Sequence, residues 1–309
     1  MKLWLSGARP RTLAAAVVPV FVGTCISYRF RFAAPQGVAI QHKIVSSHSM
    51  RTDHFSIGIA LLALAVSLFM QIGVNLANDY SDGVRGTDSD RIGPTRLVAS
   101  GLKSAKSVKR AAFLCFGISA LCGLVISIIV APWLILIGIV SILAGWFYTG
   151  GRNPYGYKGF GEVAVFVFFG LVATIGTQFV VSRRFEAASI LAGAIVGLCA
   201  ITLLETNNLR DIVGDRSAGK LTLAVRIGDR GTRIIYIATL VLCFLGVGVL
   251  GIVLGDWWLM ACIISAPLAL KASKIVYGGA TGPKLIQVLK LTSFMQIVFG
   301  VTLGIGILL

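Results

Sequence analysis

Two short stretches of this sequence carry the residue types that metal and phosphate chemistry need, at helical spacing. In ANDYSDGVRGTDSD (77–90), four of the chain's 12 acidic residues are gathered directly after a long apolar run. Asn75, Asp79 and Asp82 fall on one face of a helix, with Asn78 beside them. A second stretch, NNLRDIVGDRSAG, begins at Asn207 and repeats the device: Asn207, Asp211 and Asp215 recur once per turn. In both, Asn stands four residues before Asp, an apolar span precedes, and a loop rich in Gly and Arg follows.

Carboxylates at helix ends often do no more than balance nearby cations, and this chain carries a net charge of +16. Against that plain reading stands the pattern, with Asn and Asp alone, twice, at matching ends of two spans, where ionisable groups are costly and usually functional. Two facing carboxylate pairs suit a cationic substrate or a divalent metal. Mg²⁺ takes oxygen ligands and commonly combines one or two carboxylates with substrate phosphate. Arg85, Arg91, Arg96, Lys158, Arg210, Arg216 and Lys220 lie in the same loops and could hold phosphate oxygens. A diphosphate at the mouth of an apolar helical bundle implies a lipid tail running into the membrane, as in an isoprenyl diphosphate.

The elements that must position these residues are membrane spans. The chain of 309 residues is 56% hydrophobic and only 13% charged, with a mean hydropathy of +0.88. Charge-free runs cover 12–28, 55–78, 111–151, 163–182, 187–204, 234–255, 257–270 and 291–309. A bilayer-spanning helix needs about 20 apolar residues. The run 111–151 is long enough for two, with APW (131–133) as the turn, and the run from 257 continues apolar to about Tyr277. The expectation is an all-α membrane protein of nine spans, one domain over 1–309. The echo between the two motifs, offset by nearly half the chain, suggests two related halves.

With the N-terminus on the cytoplasmic side, 22 of the 28 Lys and Arg fall on inner segments, which fixes the expected orientation. The loops 79–110 and 205–233, carrying the two Asp motifs, are then cytoplasmic. The 27 residues of 29–55 form an outer loop, read as an insertion, and His42, His48 and His54 within it as solvated. Topology and anionic lipid account for a pI near 10.0, so no nucleic-acid partner is implied, and no obligate protein partner either. The first eleven residues make a poor cleaved signal, and LAAAVVPVFVGT reads as the first span. Six Cys within apolar spans and no CxxC argue against disulfides and zinc. The Gly of GLVATIG and GVGVLG read as helix-packing positions.

NLANDYSDG paired with NNLRDIVGDRSAGKLTLAVRIG resembles the two aspartate motifs of the UbiA superfamily of intramembrane prenyltransferases, over roughly 8–28 and 56–309. With YTGGRNPYGYKGFGEV, the stretches are most similar to the branch acting on 1,4-dihydroxy-2-naphthoate. The resemblance implies Asp79, Asp82, Asp211 and Asp215 as Mg²⁺ ligands, supported by Asn75, Asn78 and Asn207. It places Lys158 near the diphosphate, with Arg85 and Arg210 as further substrate contacts and Tyr148 and Tyr155 lining the pocket. Asp88 and Asp90 extend the first motif off its repeat, and Glu162 and Glu205 receive no role. The implied activity is transfer of a polyprenyl group from its diphosphate to the naphthoate, with decarboxylation.

Three rivals remain. DYSDG matches the opening of the CDP-alcohol phosphatidyltransferase signature, but the rest of that signature does not follow. A secondary transporter would suit two halves, yet it would place polar groups near the midplane, whereas these spans are polar at one end. Another aromatic acceptor, such as 4-hydroxybenzoate, would use the same metal site.

Overall fold

The computed structural model describes residues 2–32, 45–87 and 96–309, with side chains from 31 to 55 left aside. Asp88, Asp90, Arg91 and His42, and the side chains of His48 and His54, therefore lie outside the described residues. Every regular element among the described residues is helical. In order they are α1 (Lys2–Ala8), a 3-10 turn (Pro10–Thr12), α2 (Ala14–Phe32), α3 (Val45–Arg85), α4 (Ala105–Ile129) and α5 (Leu134–Phe147). A 3-10 turn (Tyr155–Lys158), α6 (Gly161–Val165), a π-helical segment (Phe166–Val172), α7 (Ala173–Ser182), α8 (Ala188–Ser217) and α9 (Leu223–Leu254) follow. A 3-10 stretch (Trp257–Ser265), α10 (Ala266–Tyr277) and α11 (Pro283–Leu308) complete the chain.

Seven helices among the described residues are long and apolar enough to cross a membrane. An eighth is made by Leu3–Thr12 with Ala14–Phe30, a pair bent by 52°. The bend has a local cause. Arg9 takes φ 51°, ψ 71°, a left-handed conformation rare for a residue with a Cβ, and Pro10 disfavours the helical region for the residue before it. The nine spans expected from charge-free runs thus become seven or eight. The difference is α5, whose 14 residues rise only about 21 Å, short of the ~30 Å hydrocarbon thickness. The turn at 131–133 does separate α4 from α5. α2 runs to Phe32 and α3 begins at Val45, both inside the 29–55 expected as a loop.

The largest core cluster lies among α2, α8, α9, α10 and α11 and includes Tyr236, Leu250, Phe299 and Leu303. Apolar side chains such as Leu136, Ile252 and Val253 face outward, as a bilayer requires. With lipid tails no less apolar than Leu, close packing replaces water-driven burial as the cohesive force. Gly170 of the π segment meets Gly193 and Gly197 of α8 so closely that an added Cβ would stand 2.5 Å from Gly197 Cα. Gly170 therefore has the packing role expected of it. Gly176, at the other end of GLVATIG, does not: a Cβ there would meet nothing within 4 Å. At the end opposite the Asp motifs, Arg29 pairs with Asp256 at 2.5 Å and also donates to the carbonyl of Ile307 at 2.9 Å. That contact ties α2 to the α9–α10 connection and the end of α11.

Candidate active site

The first Asp motif is not a loop. α3 continues through Arg85, so Asn75, Asn78, Asp79 and Asp82 occupy its last turns. The chain returns after the segment outside the described residues to pack a turn at 96–100 against this helix end. Leu97 N–H donates to Asp79 Oδ2 at 2.9 Å and Val98 N–H to Asp79 Oδ1 at 3.0 Å. Gly83 is what permits the approach, since a Cβ there would lie 2.6 Å from Val98 Cβ. Asp79 thereby fixes the turn that starts at Arg96.

The second motif lies on the last three turns of α8. That helix ends at Ser217, and Gly219 at φ 71° reverses the chain, so that Lys220 N–H caps the Asp215 carbonyl at 2.8 Å. The reversal folds the Lys220 side chain back over the helix end. Its Nζ stands 3.6 Å from Asp215 Oδ1 and 3.7 Å from Asp82 Oδ2. Arg96 Nη2 also faces Asp82 Oδ2, at 3.8 Å. The two motifs therefore meet at one ammonium, with both carboxylates buried.

Tyr157 sits at the centre of this meeting. Its hydroxyl donates to Asp82 Oδ1 at 2.6 Å, while Arg85 and Lys220 lie over its ring at 5.2 and 5.3 Å. Leu221 N–H donates to the Tyr157 carbonyl at 2.9 Å, which ties the Tyr155–Lys158 turn to the stretch after α8. Burial, and then the neighbouring Asp82 charge, push the Tyr157 hydroxyl well above its ordinary pKa, so it remains a donor. In YGYKG the sequence points to Lys158, whereas the side chain that meets Asp82 is Tyr157. Lys158 is exposed at the end of that turn and makes no ion pair among the described residues.

The remaining expected residues divide into two groups. Arg85 donates to the carbonyls of Thr149 and Gly151, and Arg210 forms a two-pronged pair with Asp211 at 2.8 Å. Asn75 donates to the Ala8 carbonyl and to Thr12 Oγ1, both at 3.0 Å, and Asn78 Oδ1 accepts from Thr149 Oγ1 at 2.7 Å. Asn207 donates to the Leu203 carbonyl of its own helix at 2.9 Å. Asn75, Asn78, Asn207, Tyr148 and Tyr155 all line a cavity of about 220 Å³ that begins one turn before the aspartates on α3 and α8 and runs into the bundle. Tyr148 and Tyr155 meet edge to face at 5.5 Å, and burial raises the Tyr155 hydroxyl to about 12. Arg9 also lines this cavity and is the one charged residue to do so among the described residues. Its left-handed backbone turns it there, a signal that no sequence pattern announced. Glu162 and Glu205 are turned away, toward Asn208 at 3.0 Å and Thr239 at 3.1 Å.

Among the described residues no three of His, Cys, Asp and Glu gather into a metal-binding cluster. The donor set that exists is a buried pair, Asp82 and Asp215, already sharing a cation and flanked by Arg96 and Lys220. Two carboxylates with open positions for phosphate oxygens fit Mg²⁺, which seldom takes an all-protein cage.

A 1,4-dihydroxy-2-naphthoate octaprenyltransferase from Mycobacterium tuberculosis is 44% identical over 97% of this chain and 95% of its own. One of the same name from Haemophilus influenzae is 33% identical over 100% and 96%. Among solved structures, a UbiA homolog from Archaeoglobus fulgidus bound to GPP and Mg²⁺ superposes with a TM-score of 0.62. The match covers 99% of both chains at 13% identity, which shows a shared fold. The UbiA prenyltransferase family model matches residues 49–294, and the chain belongs to that family.

Proposed function

We propose that this protein transfers a polyprenyl group from polyprenyl diphosphate to 1,4-dihydroxy-2-naphthoate, with Mg²⁺ as cofactor and with loss of CO₂. The observation that carries the reading is the convergence of Asp82 and Asp215 on one cation at the mouth of an apolar cavity. The naphthoate acceptor follows from relatives of that name at 44% and 33% identity over almost the whole chain.

Asp82 and Asp215 would hold Mg²⁺, which neutralises charge on the departing diphosphate when bound. Asp79 and Asp211 lie one turn before each of them and bond Leu97, Val98 and Arg210; as further ligands they would have to release those partners. Lys220 and Arg96 bind diphosphate oxygens and stabilise the leaving group. Lys158 and Arg210 would be further cations for the same anion. Asn75, Asn78 and Asn207 present amides where the diphosphate meets the tail. Phe168, Phe169, Tyr148 and Tyr155 line the cavity and shelter the allylic cation with their ring faces. Arg9 orients the acceptor carboxylate toward that cation. The electron-rich ring carbon bearing the carboxylate attacks, the new carbon–carbon bond forms, and the carboxylate leaves as CO₂, its bonding pair restoring the aromatic ring. The apolar walls keep water from the cation.

We further read the chain as one membrane domain in the cell membrane, with the N-terminus and Asp motifs on the cytoplasmic side. The matched ends of α3 and α8 would mark two related halves. The activity is tested by incubating the membrane-embedded protein with Mg²⁺, a polyprenyl diphosphate, and either the naphthoate or 4-hydroxybenzoate. Prenylated product with CO₂ from the naphthoate alone supports the reading. Product from 4-hydroxybenzoate alone reassigns the acceptor, and no product from either overturns it.

A further inference from the structure

The polar stripe of α3 does not stop at Asn75. Gln71 lies one turn deeper, about 6 Å along the helix axis, and lines the same cavity as Arg9 and Asn75. Its side chain is buried, and Thr12 fixes how the amide is turned. The Thr12 hydroxyl donates its one proton to the Arg9 carbonyl at 3.0 Å. Its two lone pairs accept from Asn75 Nδ2 at 3.0 Å and from Gln71 Nε2 at 3.1 Å. A hydroxyl with no proton left can meet Gln71 only through the amide nitrogen. The carbonyl oxygen, Oε1, is therefore the end of Gln71 turned away from Thr12.

That oxygen has no hydrogen-bond partner among the described residues. Ser67, a further turn into the bundle, cannot supply a proton, because its hydroxyl donates to the Ala16 carbonyl at 2.8 Å. The Tyr155 hydroxyl is likewise committed, to the Ala144 carbonyl at 2.9 Å. A buried amide oxygen without a donor is costly, and a ligand that brings an O–H group relieves the cost. The same ligand meets a cation. Arg9 Nη2 donates to the Asn75 carbonyl at 3.4 Å, which sets its charge nearer the Asp motifs than the Gln71 amide. The cavity thus offers a cation and, about one turn deeper, a fixed hydrogen-bond acceptor.

The naphthoate has the matching layout, with a carboxylate on one side of a ring and a hydroxyl on the other. Its 1-hydroxyl neighbours the carboxylate and can bond it within the molecule. The 4-hydroxyl has no such partner. Resting on the naphthoate reading above, we infer that Gln71 Oε1 accepts a hydrogen bond from the 4-hydroxyl while Arg9 holds the carboxylate. Gln71 is then a specificity-determining residue, selecting a 1,4-dihydroxy acid over one that lacks the second hydroxyl. The 4-hydroxyl lies meta to the attacking carbon and does not feed electrons to it by resonance. Discrimination between the two acids therefore reports the contact with Gln71.

The test compares 1,4-dihydroxy-2-naphthoate with 1-hydroxy-2-naphthoate on the membrane-embedded protein, at saturating Mg²⁺ and polyprenyl diphosphate. Wild type is expected to favour the dihydroxy acid in kcat/KM by roughly tenfold to a hundredfold, as a site built around a substrate hydroxyl does. Gln71→Leu should lose most of that preference, while its kcat/KM for the monohydroxy acid stays within about twofold of wild type. KM for polyprenyl diphosphate should not move. Dissociation constants of both acids, followed by their own fluorescence, carry the same comparison without turnover. Where Leu lowers the melting temperature, Gln71→Met keeps the length of the side chain and takes its place. Equal use of the two acids by wild type, an undiminished preference in the variants, or equal loss of both acids overturns the inference alone. A wild-type protein that transfers to neither acid overturns the naphthoate reading, and this inference with it.

Discussion

Asp82 of α3 and Asp215 of α8 share the ammonium of Lys220, which stands 3.7 Å from one carboxylate and 3.6 Å from the other. The arrangement explains how two buried acids are tolerated side by side. Without an intervening cation they would repel in a site of low dielectric. It also gives Lys220 two tasks, since a metal ion between the same acids would free it to bind diphosphate.

Replacing Lys220 by Met should therefore separate the two tasks. The variant is expected to melt earlier than wild type without divalent metal and to be rescued more strongly by Mg²⁺. Its turnover should fall by about tenfold to a hundredfold, as loss of a charged contact worth roughly 1.5–3 kcal/mol implies. Melting temperature against Mg²⁺ concentration, read beside kcat, checks both. Equal melting curves with and without metal would argue against the shared cation.

Asp79 makes a different prediction, because its oxygens are spent on Leu97 and Val98 N–H. Asn can accept one of these donors but faces the other with its own amide. Asp79→Asn is expected to cost about 1–3 kcal/mol, the price of an unpaired buried donor. Denaturation of the purified protein, with proteolysis of the 96–100 turn as a local probe, would show the loss.

Tyr157→Phe removes the 2.6 Å hydrogen bond to Asp82 but keeps the ring under Arg85 and Lys220. Turnover should fall about tenfold and require more Mg²⁺, while the fold survives. The pH dependence has a definite sign. The hydroxyl is raised above the ordinary tyrosine value of about 10, so both folded and unfolded chains hold this proton below that pH. Above about pH 10 the unfolded chain alone releases it, and stability is lost as pH rises. Tyr157→Phe should lessen that alkaline loss in a melting-temperature profile.

Arg9 faces the cavity rather than the carboxylates. Arg9→Gln should raise KM for the aromatic acid by roughly tenfold to a hundredfold, while KM for the donor stays near wild type. Steady-state kinetics with each substrate varied in turn separates these outcomes. A rise confined to the donor would place Arg9 at the diphosphate instead.

How much of this was legible in the sequence depended on periodicity. The helical spacing of Asn75, Asp79 and Asp82, and of Asn207, Asp211 and Asp215, shows directly that each set shares a face. Apolar runs show the spans. What periodicity cannot show is which oxygen meets which partner across the bundle. Asp79 and Asp82 look equivalent in ANDYSDG, yet one holds a backbone turn and the other faces Lys220. Tyr157 and Lys158 are neighbours in YGYKG, and only the 3-10 turn decides that the tyrosine points inward. Arg9 was hidden because its role depends on a left-handed backbone, and α5 was overestimated because a charge-free run does not reveal where a helix stops.

The central claim is that Asp82 and Asp215, one from each motif, hold a single divalent cation between them. The most direct measurement is Mn²⁺ binding, followed by its paramagnetic resonance signal in the presence of geranyl diphosphate, for wild type, Asp82→Ala and Asp215→Ala. The account predicts about one tightly bound Mn²⁺ in wild type and a large loss of affinity in either variant, with helical content retained. Undiminished binding in either single variant would contradict it.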